Sequence, residues 1–488
     1  MRSSVNICIV QPTGYIHSMA FIEAARYVCA LARQSGYESG VSKNRLFSGC
    51  INIVFGAHLL GDGIELPDGC IIFNTEQLSE KGGRFITERY MDRLHRHVVI
   101  DYSSVNMAHV DHANKYKVEF LNCKEIRCVG DVEKDIDVLF YGSVSDRRVD
   151  VINRINSLGV RAVLLGAVYS VERDCILARS RSVLNLHYFE SQIFQQIRCF
   201  WPLINGIPVI SERYRQGSAP EGYADALFLP EEGEGIADCV ARLFLDGVAF
   251  DEEKNIKLAN FYSLDPLPHF RRVLGDISSR KSSVTNIQVP DRVNIVWGVD
   301  YRFGYINIDI SSGVGADVEV DLSTPLNFPH RADSRVFGTI WLSEGGLEEI
   351  VADNILQRVR DLGTLMTHCL MLLKVGGRML INVPHEMSIS AWKCYSHVRA
   401  FNEESWKCYT DEFWKSGWFK FKFEITDLKY NLSDFGIELN SSRVPGVDIL
   451  RTPRAIESMS LCLVKCETTN EDRQSARARD PHFFLADL

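Results

Sequence analysis

The sequence predicts an α/β fold built from three open, mainly parallel sheets in series. Short runs that are apolar on both faces alternate with helical stretches through the first 250 residues, which is the pattern of buried parallel strands joined by helices. A similar alternation resumes at Val293 and continues to Pro384. The length of 488 residues agrees with three units, since a domain usually holds about 150 residues.

The first lobe, residues 1–111, opens this alternation. A helix is predicted from Ser18 to Ala32, with Ser18 as its N-cap, because a serine side chain can accept a hydrogen bond from the first-turn amides. The β-α-β order predicts a parallel sheet. The predicted strands are 5–10, 51–55, 70–73 and 97–100.

The second lobe, residues 112–275, repeats the same order of strands and helices. Two such lobes in tandem predict a cleft between the carboxyl ends of their strands, where open sheets bind ligands. A helix over 255–273 is expected to pack back on the first lobe. The other predicted elements are strands 137–142, 161–166, 182–186 and 208–210 and helices 148–158 and 190–204.

The remainder of the chain divides into a linker, a third unit and a tail. A charged, serine-rich stretch predicts a linker over 276–291, and the third unit is predicted over 292–466. Residues 467–488 are polar and are predicted as a tail. The aromatic stretch 406–423 fits a helix that buries a core face better than a surface that stacks on sugars.

Composition excludes several classes of function. The formal charge of -9 argues against a nucleic-acid partner, which usually meets a basic face. The 14 cysteines include no C-x-x-C pair, so no metal site is expected and a reducing, cytoplasmic compartment is predicted. No run approaches the roughly 18 apolar residues of a membrane span, so no integral membrane segment is expected.

Several segments of the first 250 residues, taken in order, resemble the two-lobed GT-B glycosyltransferases (glycosyl transferases group 1), in particular bacterial CgeB-like members. The resemblance implies two Rossmann-like lobes, the second of which binds the nucleotide of a nucleotide-sugar donor. The segments that carry it are Asn74-Thr75-Glu76-Gln77-Leu78, Asp101-Tyr102-Ser103, Lys134 to Ser143 with Arg147-Arg148 behind it, Gln195-Gln196-Ile197-Arg198, and Asn205 to Glu212.

The resemblance also implies where the donor lies. A departing diphosphate needs positive charge and backbone amides, which helix N-termini and guanidinium groups supply without a metal. Arg147 or Arg148 follows the first strand of the second lobe by one turn, and Glu212 offers a ribose contact. The complete predicted donor site is Gly142, Ser143, Arg147, Arg198, Gly206 and Glu212.

Two residues of the first lobe are candidates for the base that deprotonates an acceptor hydroxyl. His17 follows the first strand, and imidazole titrates near neutral pH. Glu76 comes just after the carboxyl end of a later strand. The residue types leave both open, with Glu76 as the second choice.

The third unit resembles the class I S-adenosylmethionine (SAM)-dependent methyltransferases, which are also Rossmann-like. The resemblance implies that Gly298, Asp309 and Asp321 would contact SAM, and the turn Leu373 to Gly377 fits the same family. Val296 departs from the family, because a glycine is expected at that position of the cofactor loop.

The two resemblances together imply a bacterial enzyme of polysaccharide biosynthesis. The first two lobes would move a sugar from a nucleotide sugar to a glycan or another hydroxyl acceptor. The third unit would methylate the product or serve as an inactive docking module. Two rival hypotheses remain: a methyltransferase whose first lobes bind its acceptor, and a non-catalytic assembly protein.

Overall fold

A computed structural model shows two compact units, Met1–Ile287 and Gln288–Leu488. The boundary falls inside the stretch 276–291. The structure describes residues 4–61, 63–78, 86–110, 114–130, 132–189, 191–245, 248–279, 288–296, 300–309, 316–334 and 336–479.

The first lobe is a six-stranded parallel sheet in the order β2-β1-β3-β4-β5-β6. Its strands are almost wholly buried where the sequence is apolar on both faces, as in β3 and β4. The strands are β1 Ser4–Ile9, β2 Glu38–Lys43, β3 Cys50–Phe55, β4 Ile71–Asn74, β5 Val98–Asp101 and β6 Lys115–Lys117. The helices are α1 Ile22–Gln34, α2 Glu88–Arg96 and α3 Ser104–Met107.

The second lobe is a five-stranded parallel sheet in the order β11-β10-β9-β7-β8. Its strands are β7 Ile136–Tyr141, β8 Ala162–Leu165, β9 Ser180–Asn185, β10 Val209–Ser211 and β11 Leu227–Phe228. Its helices are α4 Asp146–Ser157, α5 Ser170–Ala178, α6 Gln196–Ile204, α7 Ile236–Leu245, α8 Val248–Tyr262 and α9 Leu267–Ser279.

The two lobes share one hydrophobic core. Phe200 of α6 packs against Tyr27 of α1 and against Phe120, with ring centroids 5.5 and 4.8 Å apart. Helix α9 returns to the first lobe as predicted, where Arg271 donates to the Gln34 carbonyl at 2.9 Å. The lobes are therefore joined by packing as well as by the chain.

A buried ion cluster adds to this joint. Arg173 of α5 donates to Glu23 of α1 at 2.9 Å, and both side chains are only 5% exposed. Arg173 also pairs with Asp174, which accepts a hydrogen bond from the Trp201 indole at 2.9 Å. Burial raises the pKa of Glu23, and the charge of Arg173 acts in the opposite direction.

The second unit contains a seven-stranded sheet in the order β14-β13-β12-β17-β18-β20-β19, with a separate hairpin β15-β16. β20 runs antiparallel to both β18 and β19, and the other neighbouring strands of the sheet are parallel. The strands are β12 Arg292–Val296, β13 Ile306–Asp309, β14 Val318–Glu319, β15 His330–Ser334, β16 Gly338–Leu342, β17 Leu347–Asp353, β18 Leu373–Pro384, β19 Phe421–Leu432 and β20 Ile456–Glu467. The helices are α10 Leu362–Leu372, α11 Ile389–Trp392, α12 Asp434–Ser441, α13 Gly446–Arg451 and α14 Asn470–Arg479. The predicted fold class, three Rossmann-like α/β sheets, is confirmed.

The faces of this third sheet differ. One face carries Ile350, Ile381 and Leu461 into a core that also contains side chains of α10 and α14. The other face carries polar side chains and is open to solvent at β18 and β19, where Arg378 is 55% exposed and Lys429 is 72% exposed. On β12, β13 and β17 the same face is buried, as at Asn294, Asn307 and Val351. Parallel sheets usually bury both faces under crossover helices, so this open face is unusual.

The connection between the parallel neighbours β12 and β13 is short, at nine residues, 297–305. A parallel crossover that contains a helix needs about a dozen residues or more. The described part of this connection, residues 300–305, contains no helix. Its Tyr301 packs against Val296 at the end of β12.

Four predicted elements differ from those that the structure shows. Ser18 does not cap α1: it is buried within a 3-10 turn, Ile16–Phe21, that precedes the helix. The predicted helix 255–273 is split into α8 and α9, because Pro266 disfavours helical geometry at the residue that precedes it. Residues 276–279 continue α9 rather than begin a linker, and residues 470–479 of the predicted tail form α14, anchored by Asp472 and Lys422 at 2.6 Å.

The aromatic stretch 406–423 is core, as predicted, but it is not one helix. Two 3-10 turns, Glu403–Tyr409 and Phe413–Ser416, precede β19. The buried members of the stretch are Trp406, Tyr409, Phe413, Trp414, Trp418 and Phe423. A sugar-stacking role for these rings is therefore wrong.

Candidate functional site

The candidate site of the first unit lies where the strand order of the second sheet reverses. The chain runs from β7 to its neighbour β8 and then returns to β9 on the other side of β7. Such a switch point leaves a crevice at the carboxyl ends of the strands, which is where open sheets bind ligands. The loops after β7, β9 and β10 and the first turns of α4 and α6 form this crevice.

Arg198, on the first turn of α6, reaches into the crevice. Its Nη1 donates to the Leu186 carbonyl at 2.9 Å and to Asn185 Oδ1 at 3.3 Å. Its guanidinium carbon lies 5.1 Å from the ring centroid of Phe140. Burial lowers the pKa of Arg198, although a guanidinium stays charged at neutral pH. The group is thus a cation held in a fixed position.

Gly142, the residue after β7, makes room for that cation. Its φ is +141°, and a Cβ at this position would lie 2.8 Å from Nη2 of Arg198. A side chain here would therefore push the guanidinium out of its position. This contact supplies the physical reason for a glycine, which the sequence alone places only as a strand-end residue.

Two further guanidinium groups come from α4. Arg148 is buried and holds the loop by donating to the carbonyls of Ser143 at 2.7 Å and Leu186 at 2.6 Å. Burial, with Arg198 and Arg147 nearby, lowers the pKa of Arg148 to about 9. Arg147 is exposed and pairs with Glu212. Arg148 is therefore a structural group, and Arg147 is the residue of the pair that can reach a ligand.

Glu212 follows β10 and is already occupied on both oxygens. Oε1 accepts from Arg147, and Oε2 accepts from the His187 amide at 2.8 Å. His187 is buried beside this pair, and burial lowers its pKa. The crevice thus contains three guanidinium groups and one carboxylate, of which only Arg147 and Glu212 are paired, so its net charge is positive. Glu212 positions Arg147 rather than offering a free oxygen to a ribose.

Gly206 does not belong to this cluster. It precedes β10, so it lies at the amino edge of the sheet, where it lines a cavity of about 450 Å³ with Asp135 and Asp137. Its φ is +79°, and a Cβ would lie 2.9 Å from Nη2 of Arg127. The Gly-Ile-Pro turn thus leads into β10 at the amino edge of the sheet. The prediction that Gly206 contacts the donor is therefore corrected.

In the first lobe, Glu76 follows β4 and meets His58, which follows β3. Glu76 Oε1 lies 3.4 Å from His58 Nε2, with side-chain exposures of 17% and 3%. Burial raises the pKa of Glu76 to about 7 and lowers the pKa of His58 to about 4. The imidazole is therefore neutral at pH 7, and the carboxyl group can gain or lose a proton there. No local sequence pattern singles out His58.

A buried polar network fixes the backbone that carries Glu76. Asn74 and Asn106 both donate to the Glu76 carbonyl, at 2.8 and 3.0 Å. Asp101 accepts from Asn74 at 2.5 Å and from the Ser103 amide at 2.7 Å. Burial raises the pKa of Asp101 to about 7, and these hydrogen bonds act against the increase. Asp101 thus has a structural role, because it holds Asn74, which in turn fixes the backbone of the candidate base.

His17 occupies a different place, on the exposed rim between the lobes. Its Nδ1 lies 2.6 Å from the hydroxyl of Tyr169, which belongs to the second lobe. The side chain is exposed, unlike that of Glu76. His17 thus links the two lobes at their exposed rim.

The two halves of the site face each other. Gln196, the first residue of α6, donates to the Tyr102 carbonyl at 3.0 Å, and Gln77 donates to the Ile193 carbonyl at 3.3 Å. Tyr102 follows β5 and Gln77 follows β4, so the carboxyl edge of the first sheet meets the segment that carries Arg198. Acceptor-side and donor-side candidates thus lie on the same side of the unit.

The residues predicted to bind SAM are not assembled in the same way. Gly298 lies outside the described residues. Asp309 ends β13 and is buried. Asp321 closes its own turn, with Oδ1 accepting from the amide and the hydroxyl of Ser323 at 2.8 and 2.6 Å. Val296 packs with Tyr301 and Ala316 at the end of β12.

The described residues show neither a metal-binding cluster nor a membrane-spanning helix. No group of three histidine, cysteine, aspartate or glutamate side chains in those ranges could hold a metal ion. Within the same ranges, no helix is both long and apolar enough to cross a membrane.

No family model matches the chain. Among curated proteins, the chain is similar to Uncharacterized protein L138 of Acanthamoeba polyphaga mimivirus, at 31% identity over 149 residues, or 29% of this chain and 16% of that protein. It is also similar to Uncharacterized protein L140 of the same virus, at 27% identity over 150 residues, or 29% of this chain and 48% of that protein. The chain thus spans less than half the length of these relatives. They are viral, so they give no support to a bacterial source.

Solved structures give weak likenesses to both predicted families. WaaG, described as a glycosyltransferase involved in lipopolysaccharide biosynthesis, has a TM-score of 0.37 and 12% identity over 56% of this chain and 99% of its own. TarM has a TM-score of 0.32 and 11% identity over 48% and 55%. A Mesorhizobium loti SAM-dependent methyltransferase has a TM-score of 0.23 and 12% identity over 36% and 93%. Scores this low carry no functional argument, and the narrower CgeB-like grouping stays a prediction.

Proposed function

We propose that the first unit is a glycosyltransferase that moves a sugar from a nucleoside diphosphate sugar to a hydroxyl of a glycan or another acceptor, as a step of polysaccharide biosynthesis. The observation that carries the proposal is the group of guanidinium side chains at the switch point of the second sheet, with Gly142 leaving space for Arg198. A departing nucleoside diphosphate is an anion, and fixed cations stabilise it as its charge develops.

In this proposal the residues divide into two groups. Arg198 and Arg147 contact the diphosphate, and the backbone at Gly142 and Ser143 approaches it. Glu212 positions Arg147, and Arg148 holds the loop. Glu76 takes the proton from the acceptor hydroxyl, with His58 beside it as the positioning residue; its pKa near 7 supports this role. His17 remains the alternative base.

Binding of a nucleoside diphosphate by the full chain tests the donor site. UDP, GDP, ADP and dTDP are titrated by calorimetry and in thermal unfolding, where a ligand at 100 times its Kd adds about 2.7 kcal/mol of stability. We expect one of them to bind, and Arg147→Ala to weaken that binding about tenfold, which is the loss of one charge-assisted hydrogen bond.

Arg154→Ala is the matched control, because Arg154 lies on the same helix, is exposed and pairs with Asp238 away from the crevice. It should leave the affinity unchanged. Equal effects of the two variants, or no binding of any of the four diphosphates, would contradict the donor site.

The third unit does not fit SAM in the residues that the structure describes. The side chain of Val296 stands where the cofactor needs a glycine, and Asp321 is committed to Ser323. The described part of the connection between β12 and β13, residues 300–305, contains no helix whose N-terminus could point at the cofactor. We therefore favour a unit that does not methylate over the alternative of an active methyltransferase.

Titration with SAM is expected to release no heat at millimolar ligand, because the side chain of Val296 occupies a glycine position and Asp321 is engaged by Ser323. The same sample must show a cooperative melt, which establishes that the chain is folded. Saturable binding of SAM in the micromolar range would reverse this assignment.

A further inference from the structure

The open face of the third sheet carries a row of polar side chains that hydrogen-bond across four strands. This row, here called the polar ladder, consists of Asp353, Asn382, Ser460 and Asn431. Asn382 donates to Asp353 at 3.0 Å, and Ser460 donates to the Asn382 side-chain oxygen at 3.1 Å. Asn431 in turn donates to Ser460 at 3.1 Å. The ladder is thus a continuous strip of amide, hydroxyl and carboxylate groups.

Beside the ladder lies a cavity of about 260 Å³. Its apolar lining includes Val351, Leu380 and Cys462, and its polar lining includes Asp353, Asn382 and Ser460 of the ladder. An apolar surface with a few placed polar groups is the usual composition of a small-molecule site. The volume is below the about 300–1,000 Å³ of sites for drug-sized ligands, so it admits one small ring.

The charges at the rim of the cavity are paired. Arg302 lies 3.2 Å from Asp353, and Lys429 lies 2.6 Å from Asp427. Two cations therefore meet two carboxylates, and an ionic ligand would gain little attraction. A ligand with many neutral hydroxyl groups can use the ladder as donor and acceptor, while its C–H face lies on the aliphatic side chains.

We propose that this cavity is a binding site for a neutral sugar ring, and that the third unit is a carbohydrate-binding module. The proposal goes beyond the transfer reaction and does not depend on it. It gives a function to the polar residues of these strands. In a parallel sheet that is covered by helices on both faces, the same positions are usually apolar.

Saturation-transfer NMR on the full chain tests the site with methyl α-D-glucoside, methyl α-D-mannoside and N-acetylglucosamine. We expect at least one to bind with a Kd of about 1 mM, a weak affinity suited to a single ring. Asn382→Leu, which interrupts the ladder, should weaken that binding about tenfold. Leu380→Trp, which fills the cavity without removing a ladder group, should abolish it.

Asn440→Leu is the matched control, because Asn440 is an exposed asparagine on α12, outside the cavity. It should bind like the unmodified chain, and the UDP and GDP titrations should be the same for all three variants. No saturation transfer from any of the sugars, or equal weakening by Asn440→Leu, would overturn the proposal. A dimer in sedimentation velocity that Lys429→Glu dissociates would overturn it too, because the face would then be covered by a second copy.

Discussion

Arg198→Ala is expected to lower turnover of the nucleotide-sugar donor by about 100- to 1,000-fold, the usual cost of removing one preorganised group that stabilises developing negative charge. Arg198 is held by two acceptors, stacks on Phe140 and fits against Gly142. It therefore needs no rearrangement when the diphosphate departs. The measurement is release of nucleoside diphosphate from the donor that the binding panel identifies.

Two companion variants separate chemistry from folding. Arg198→Lys keeps a charge but cannot match the planar fork of the guanidinium, so an intermediate rate is expected. Gly142→Ala removes no ligand-binding group but displaces Nη2 of Arg198, so it should also slow the reaction. If Arg198→Ala melts like the unmodified chain and keeps its turnover, the donor site lies elsewhere.

Arg173→Met is expected to destabilise the first unit by about 3–5 kcal/mol, because it leaves the buried carboxylate of Glu23 without its cation. Both ends of the Arg173–Glu23 pair are only 5% exposed, so solvent cannot replace the lost partner. The measurement is hydrogen exchange of peptides from α1 and α5 in increasing urea, which reports on the joint between the lobes.

Arg181→Met is the control for this prediction. Arg181 also bridges two carboxylates, Asp137 and Asp251, but the group is about one-third exposed, so its removal should cost at most about 1 kcal/mol. Similar losses from the two variants would mean that the buried cluster contributes no more than a surface ion pair.

Apolar runs predicted the strands of the first unit well because parallel strands are buried on both faces. β3, β4 and β5 begin within one residue of their predicted positions. β2 was missed because it is an edge strand with an exposed, polar sequence, Glu38–Lys43, that follows no apolar pattern. Its formation depends on pairing with β1, which a local pattern does not contain.

Part of the site could be predicted because its residues directly follow strands. Gly142 comes after β7 and Glu212 after β10, and the structure brings both to Arg198 and Arg147. Gly206 was misplaced because a Gly-x-Pro turn looks the same before a strand as after one. His58 had no local signal at all, since its partner Glu76 comes from another strand and the pair forms only when the sheet assembles.

The third unit shows a different limit of sequence patterns. Its first two strands, β12 and β13, fall within the alternation that starts at Val293, and Val296 pointed to an altered cofactor loop. The absence of a helix from residues 300–305 was not predicted, although only nine residues separate the two strands. Its meaning depends on the strands being parallel neighbours, because an antiparallel pair could be joined by the same length without a helix.

The edge strand β19 carries a further consequence for the behaviour of the protein in concentrated solution. A twelve-residue edge offers unpaired backbone groups on which other chains could add strands and grow into fibrils. Irregular register with β20 between Ile425 and Asp427 interrupts that edge, and Glu424, Asp427 and Lys429 place exposed charges along it. A bulge and exposed charges thus protect the edge strand β19 against the addition of strands from other chains.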